Sequence, residues 1–390
     1  MTTKARVIGS LIVCSFFLAA CQQPSSKTTD STKSANANQP MLNVQFSAEM
    51  GSADLSLATD SYSFITLNNA YEGLYRLDEN NEPVIAGASE DAMVSEDGVV
   101  YTIKLREDAK WSNGEPVTAE DYVFSWQRTV DPATASNYAY MLAPVKNAAA
   151  ISDGTKDKSE LGIEAVTSHE LKITLEKATP YFKSLLAFPT FFPQSEAVVQ
   201  EHGDQYALTS ANAVYNGPFT LEDYDGPGTD IQWTLKKNPE YWDAESVKLS
   251  GVQFDVVKES STSYNLYESG QADDITLSGE LAMQNVNHKD YVVQPSATTQ
   301  YLEMNQAAED SPFRNEKLRQ AISYSLNRQQ IVDQILGNGS LPAVGFVPSD
   351  LAFNPETKTD FVKDAGTSLP YDEEQAKKLW EQAKSELGKD

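Results

Sequence analysis

Few residues of this chain have the type and spacing that covalent chemistry needs. The three histidines, His169, His202 and His288, stand far apart, with no HExxH run and no Cys/His array of zinc spacing. No GxSxG elbow and no Walker sequence is present. Acidic side chains number 56, but a hydrolytic carboxylate pair is defined by separation in space, which chain order does not give. No catalytic role, metal site or cofactor is therefore expected, and lone histidines serve most often as surface or hydrogen-bonded groups. The 18 tyrosines suit non-covalent binding, since each joins a flat apolar ring to a hydroxyl that can reach a peptide group. A net charge of −26 opposes nucleic acid, whose phosphates need a basic surface, and serves solubility.

The cysteines are the other reactive side chains. Cys14 and Cys21 are the only two, so a chain processed at Cys21 keeps no pair for a disulfide. Lys4 and Arg6 precede a mostly apolar run, Val7 to Ala20, which has signal-peptide length and falls short of a membrane span. It ends Leu18-Ala19-Ala20-Cys21, which resembles a bacterial lipobox. That resemblance implies a lipoprotein signal peptide at 1–20 and a lipid thioether on Cys21, held by about 0.8 kcal/mol per buried methylene. The alternative is an ordinary secretory signal with an incidental cysteine. Residues 22–39, QQPSSKTTDSTKSANANQ, lack apolar period and cannot bury a core, so 21–40 is expected to be a disordered tether.

The rest is long enough for two or three lobes with sizeable cores. Leu42, Val44 and Phe46 alternate as a strand, and a helix is expected around Phe64 to Leu74. Val99, Tyr101, Ile103 and Leu105 alternate as a second strand. Asn113-Gly114 supplies a tight turn, and Thr118 with Asp121 forms a capping box before a helix that Asp131-Pro132 ends. The apolar period of that helix puts Val123, Phe124, Trp126 and Val130 on its buried side. A strand follows within Leu161 to Glu176, then a short helix with Phe182, Leu185 and Leu186 inward, and Phe188 to Pro193 as a rigid apolar connector. Strands are expected at Ile231–Lys236 and Val252–Val257, and a helix then a strand at Tyr264–Asp274. Helices are expected at Arg314–Ser325, Asn327–Leu336 and Asp372–Leu387, the last with Ala376, Leu379, Trp380 and Ala383 inward.

The run LREDAKWSNGEPVTAEDYVFSWQR, Leu105 to Arg128, resembles the signature of the extracellular solute-binding proteins of peptide ABC transporters, family 5, in its oligopeptide-binding branch. Tyr71-Glu72-Gly73-Leu74, Thr134 to Leu142 (TASNYAYML), Asn216 to Leu221 (NGPFTL) and Asn238 to Trp242 (NPEYW) resemble further runs of that family. So does Tyr301 to Asn305, as an aromatic strand entering the third lobe. The resemblance implies an α/β, periplasmic-binding-protein-like (type II) multi-lobe fold with mixed sheets and a ligand cleft. Lobe I would be 41–70 and 196–297, lobe II 71–195, and lobe III 298–390. The third lobe is expected to be incomplete, since family members continue past Ala383. An aspartate that pairs with the peptide α-ammonium has no counterpart between Asp360 and Asp390, so weakened or lost binding is expected.

By the same resemblance the cleft residues are Thr59, Asp60, Ser61, Tyr62, Tyr138, Thr276, Leu277 and Ser278. Asp60 reads equally as a helix N-cap, and Tyr138 also fits a core aromatic; Asn216 and Gly217 read as plain turn chemistry. The implied function is capture of oligopeptides and delivery to ABC permease subunits, by a monomer anchored through lipid on the outer face of a bacterial membrane. A peptide pheromone receptor, or a truncated surface lipoprotein that does not transport, are the alternatives. Dipeptides, nickel and other solutes use the same fold family.

Overall fold

The computed structural model describes residues 40–228, 230–354, 356–366 and 370–388. Strand β1 (Met41–Phe46) leads through an irregular stretch into α1 (Ser61–Ala70). Then come β2 (Tyr75–Leu77), β3 (Pro83–Ile85), β4 (Met93–Val94), β5 (Val100–Lys104), α2 (Ala119–Val130), α3 (Ala148–Ser152), β6 (Ile163–Thr167) and β7 (Glu170–Thr174). Helices α4 (Phe182–Leu185) and α5 (Glu196–His202) precede β8 (Phe219–Glu222), β9 (Gln232–Lys237) and β10 (Gly251–Val256). Helices α6 (Ser260–Glu268), α7 (Gly279–Asn285), α8 (Glu316–Ser325), α9 (Arg328–Gln330), α10 (Phe361–Ala365) and α11 (Glu373–Leu387) follow.

One mixed sheet has the order β1-β10-β9-β8, with β1 parallel to β10 and the other pairs antiparallel. A second sheet, β4-β5-β7-β6, is antiparallel throughout. The apolar sides of the two sheets run into one core: Phe254, Trp233 and Leu235 from the first, Ile103, Leu171 and Ile173 from the second, with Trp126 of α2. The segment 161–176, expected to hold one strand, is a hairpin of β6 and β7 that turns at Ser168-His169.

Helix α1 starts and stops earlier than its apolar period predicts. Tyr71 is already extended (φ −121°, ψ 163°), so Tyr71 to Leu74 is a crossing from α1 into β2, which pairs with β3 as a separate two-stranded sheet. Asn216 clasps this crossing: its Oδ1 accepts from Glu72 N at 3.1 Å and its Nδ2 donates to Glu72 O at 2.9 Å. Gly217 is required beside it, because a Cβ there would meet Tyr71 N and Ala70 C at 2.7 Å. Asn216 and Gly217 thus do more than turn the chain.

The Asp121 carboxylate accepts from Thr118 N at 2.8 Å, as a capping box requires. The buried face of α2 differs from the apolar pattern, with Tyr122, Ser125, Trp126, Thr129 and Val130 inside and Val123 and Phe124 half-buried. The reason is a polar seam. Ser125 Oγ donates to Phe192 O at 2.7 Å, Trp126 Nε1 to Phe191 O at 2.9 Å, and Thr129 Oγ1 meets Ser56 Oγ at 2.8 Å.

After β10 the pattern departs further. The strand expected at Gln271–Asp274 is a single parallel bridge, Val44 to Asp274. Tyr301 and Leu302 lie in irregular chain, 64% and 65% exposed, and residues 301–305 make no backbone–backbone hydrogen bond among the described residues. A strand needs a neighbour to satisfy its amides, and among the described residues no strand pairs with this run. Helix α11 begins as expected, with Asp372 accepting from Gln375 N at 2.9 Å, and packs Ala376, Leu379 and Ala383 inward with α8 as its main partner. Trp380 stays 47% exposed, because one partner helix covers only a narrow stripe. Among the described residues no helix is long and apolar enough to cross a membrane.

Candidate functional site

Strand β1 has parallel neighbours on both sides, β10 on one and the Asp274 bridge on the other, so three runs of chain point the same way. In such a sheet the carboxyl ends open toward a crevice where ligands bind. Ser47, Val257 and Ile275 continue from those ends. Tyr62 is fixed there: its hydroxyl shares a 2.5 Å hydrogen bond with Ser47 Oγ, and its ring lies 4.4 Å from Phe46. Glu49 and Lys258 close the same edge with a 2.7 Å ion pair, which holds the Glu49 carboxyl below its ordinary value. Thr276, Leu277 and Ser278 leave from the same end on the far side of β1, with Thr276 and Ser278 exposed.

Asp60 is the N-cap of α1. Its Oδ1 accepts from Ser63 N at 2.9 Å, and its Oδ2 from Ser63 Oγ at 2.5 Å and Gly51 N at 3.1 Å. Those donors occupy the carboxylate, so its part in the site is to hold the Thr59–Tyr62 turn rigid. Thr59 and Ser61 beside it are exposed.

Tyr138 precedes a short turn of helix, Ala139–Leu142, and is partly exposed. Its ring stacks on Phe188, planes 14° apart and centroids 5.8 Å, and meets Phe64 of α1 edge-on at 5.4 Å. Burial, then Tyr140 and Asp60, raise its hydroxyl above the ordinary tyrosine value. Tyr138 is thus near the Asp60 turn. Thr59 to Tyr62 and Thr276 to Ser278 share one end of the sheet, with Tyr138 on the flank of α1. No hydrogen bond or ring contact joins Thr276–Ser278 to Tyr62 or Tyr138 among the described residues. Cys21 lies outside the described residues.

Sequence reasoning missed Ser47, Glu49, Lys258, Phe64, Tyr140 and Phe188. Only strand direction, which a sequence does not carry, brings Lys258 to Glu49. Phe188 looked like part of a stiff connector. An apolar hollow of about 280 Å³ bounded by Val344, Phe346, Val347, Phe361, Val362 and Ala365 lies elsewhere in the chain. It lacks the convergent polar groups that a recognition site needs.

Residues 82–390 match the family model of the bacterial extracellular solute-binding proteins, family 5 Middle. The dipeptide-binding protein of Lactococcus lactis subsp. cremoris (strain MG1363) is 36% identical over 400 residues, 99% of this chain and 70% of that protein. The structure of Listeria monocytogenes OppA bound to peptide has a TM-score of 0.86 at 45% identity and covers 91% of this chain and 70% of its own. That of the pheromone receptor PrgZ has a TM-score of 0.87 at 39% identity, covering 90% and 68%. The fold is that of the type II periplasmic binding proteins. With a family model matched over most of its length and a mixed sheet opening at its parallel carboxyl ends, this chain belongs to family 5 of the bacterial extracellular solute-binding proteins.

Proposed function

We propose that this chain is the lipid-anchored peptide receptor of an ABC transporter, displayed on the outer face of a bacterial membrane and delivering oligopeptides to the permease. The observation that carries the reading is the likeness to Listeria OppA bound to peptide, at 45% identity and a TM-score of 0.86. A peptide laid in the crevice would be held mainly through main-chain hydrogen bonds, as a strand is held by a sheet edge. Since every peptide offers the same amides, such a site accepts many sequences. Thr59, Ser61, Tyr62, Tyr138 and Thr276 to Ser278 would face it, with Asp60 fixing the turn. Lobe closure about the chain after β10 would then bury the ligand. The acts assigned to these residues are binding and release, with no bond broken.

Main-chain hydrogen bonds do not depend on a carboxylate for the α-ammonium, so binding is expected to be weakened rather than lost: purification of the portion from Met41 onward, followed by mass spectrometry of what comes with it, is expected to yield short peptides of many sequences. Recovery of a metal or a sugar alone would reject the reading. The likeness to PrgZ favours a second one, a pheromone receptor, and the same spectrum separates the two: one recurring sequence supports signalling, a mixture supports uptake. For the anchor, cells expressing the full chain and fed labelled fatty acid are expected to label it, and Cys21→Ser is expected to abolish the label. A labelled Cys21→Ser chain, or an unlabelled native one, refutes anchoring at this sulfur.

A further inference from the structure

Phe64, the pair Tyr138 and Tyr140, and Phe188 come from three distant parts of the chain and meet as one aromatic array. Phe64 lies 4.8 Å from Phe188 and 5.4 Å from Tyr138, Tyr138 stacks on Phe188 at 5.8 Å, and Tyr140 leans on Tyr138 at 5.8 Å. The rings are not core. Phe64, Tyr138 and Phe188 are half-buried, and Tyr140 is 68% exposed. Neither the Tyr138 nor the Tyr140 hydroxyl has a hydrogen-bond partner among the described residues. The array starts in the first turn of α1, two residues after Tyr62, whose hydroxyl is fixed at the carboxyl end of β1. The array packs on α1 through Phe64, and Asp60, the N-cap of that helix, acts on the Tyr138 hydroxyl, so the rings lie beside the Asp60 turn that borders the candidate crevice.

We propose that this array is a side-chain subsite that selects peptides carrying an aromatic residue; the proposal rests on the peptide-receptor reading. Rings held by one another are already ordered, so an entering ring costs little side-chain entropy and finds both a face and an edge to pack on. A lysine or arginine could also sit over such rings. A neutral ring takes up the face and the edge with no charged group to desolvate, which favours the aromatic side chain over the cation.

The test is calorimetry on the chain as purified, with tetra-alanine and tetrapeptides in which one alanine at a time is replaced by phenylalanine or by lysine. At one position phenylalanine is expected to bind about tenfold tighter than alanine, the factor that about 1.4 kcal/mol of ring packing gives. Tyr140→Ala and Phe64→Leu are each expected to bring that phenylalanine-to-alanine ratio down toward one. Tyr181→Ala, at another exposed tyrosine outside the array, is expected to leave the ratio alone. Equal affinity across the panel, a preference for lysine, or a ratio that survives both array variants would overturn the subsite while the peptide reading stands. Failure of every peptide to bind would instead reject the peptide reading, and the subsite with it.

Discussion

Asp54→Ala is expected to lower the unfolding free energy by about 3 to 5 kcal/mol, read as a fall in the urea midpoint. Asp54 is 4% exposed, and it holds Arg128 of α2 through two bonds, Nη1 to Oδ1 at 2.8 Å and Nη2 to Oδ2 at 2.6 Å. Arg128 also donates to Gln194 Oε1 at 2.7 Å, and Gln194 Nε2 donates in turn to Ser56 Oγ and Ser125 Oγ. This seam ties the 52–58 loop of the first sheet's half to α2 and to the connector after Phe191. Removal of the carboxylate leaves a guanidinium inside with one weak acceptor, and the cost is mostly that of the stranded charge. The paired change Asp54→Leu with Arg128→Met removes both charges and is expected to recover most of the loss. A single-variant loss under about 1 kcal/mol, as for a surface ion pair, would show that water reaches this seam.

The same seam marks the limit of what the order of residues discloses. Local rules held where a bond spans a few residues. Thr118 with Asp121 stands as expected, and Asp372 with Gln375 and Asn327 with Gln330 are caps of the same local kind, although the helix expected at Asn327–Leu336 is α-helical only over Arg328–Gln330 and winds as a π-helix from Ile331 to Leu336 before Gly337. The buried side of α2 was misread because Ser125 and Thr129 are polar by composition, and only partners 67 and 73 residues away make their burial affordable. Trp380 was misread because an apolar period cannot say how many neighbours a helix has. The candidate site divides along the same line. Asp60 is a helix N-cap, a role its residue type before a helical run already allows. Tyr62 at Ser47, Lys258 at Glu49 and Phe188 at Tyr138 are meetings that sheet order creates. Only the longer resemblance links Tyr62 with Tyr138; the chemistry of either residue alone does not.

Glu72→Ala is the second change expected to be severe, at about 2 to 5 kcal/mol, because it strands two buried donors. Glu72 is 6% exposed; its Oε1 accepts from Tyr241 Oη and its Oε2 from Trp242 Nε1, each at 2.6 Å. The Arg106 guanidinium covers the other side of Trp242, 3.4 Å from the ring centre. Burial raises the Glu72 carboxyl above its ordinary 4.5, and the Tyr241 and Trp242 hydrogen bonds, with Arg76 and Arg106, offset part of that rise. The folded state therefore binds this proton more tightly than the unfolded one. The group's contribution to stability is fully present below pH 4.5 and is lost as pH rises through the raised folded value. Glu72→Gln stays neutral at every pH, and its amide can accept from Trp242 while donating to the Tyr241 oxygen. Urea titrations from pH 4 to pH 8 should then show Glu72→Gln gaining on the native chain as pH rises, with Glu72→Ala below both throughout. A native-minus-Gln difference that does not change with pH would mean that the two hydrogen bonds and the two arginines offset the whole of the desolvation cost. Because Asn216 holds the Glu72 backbone at both its N–H and its carbonyl, neither variant should move the crossing itself, so the difference reports the side chain alone.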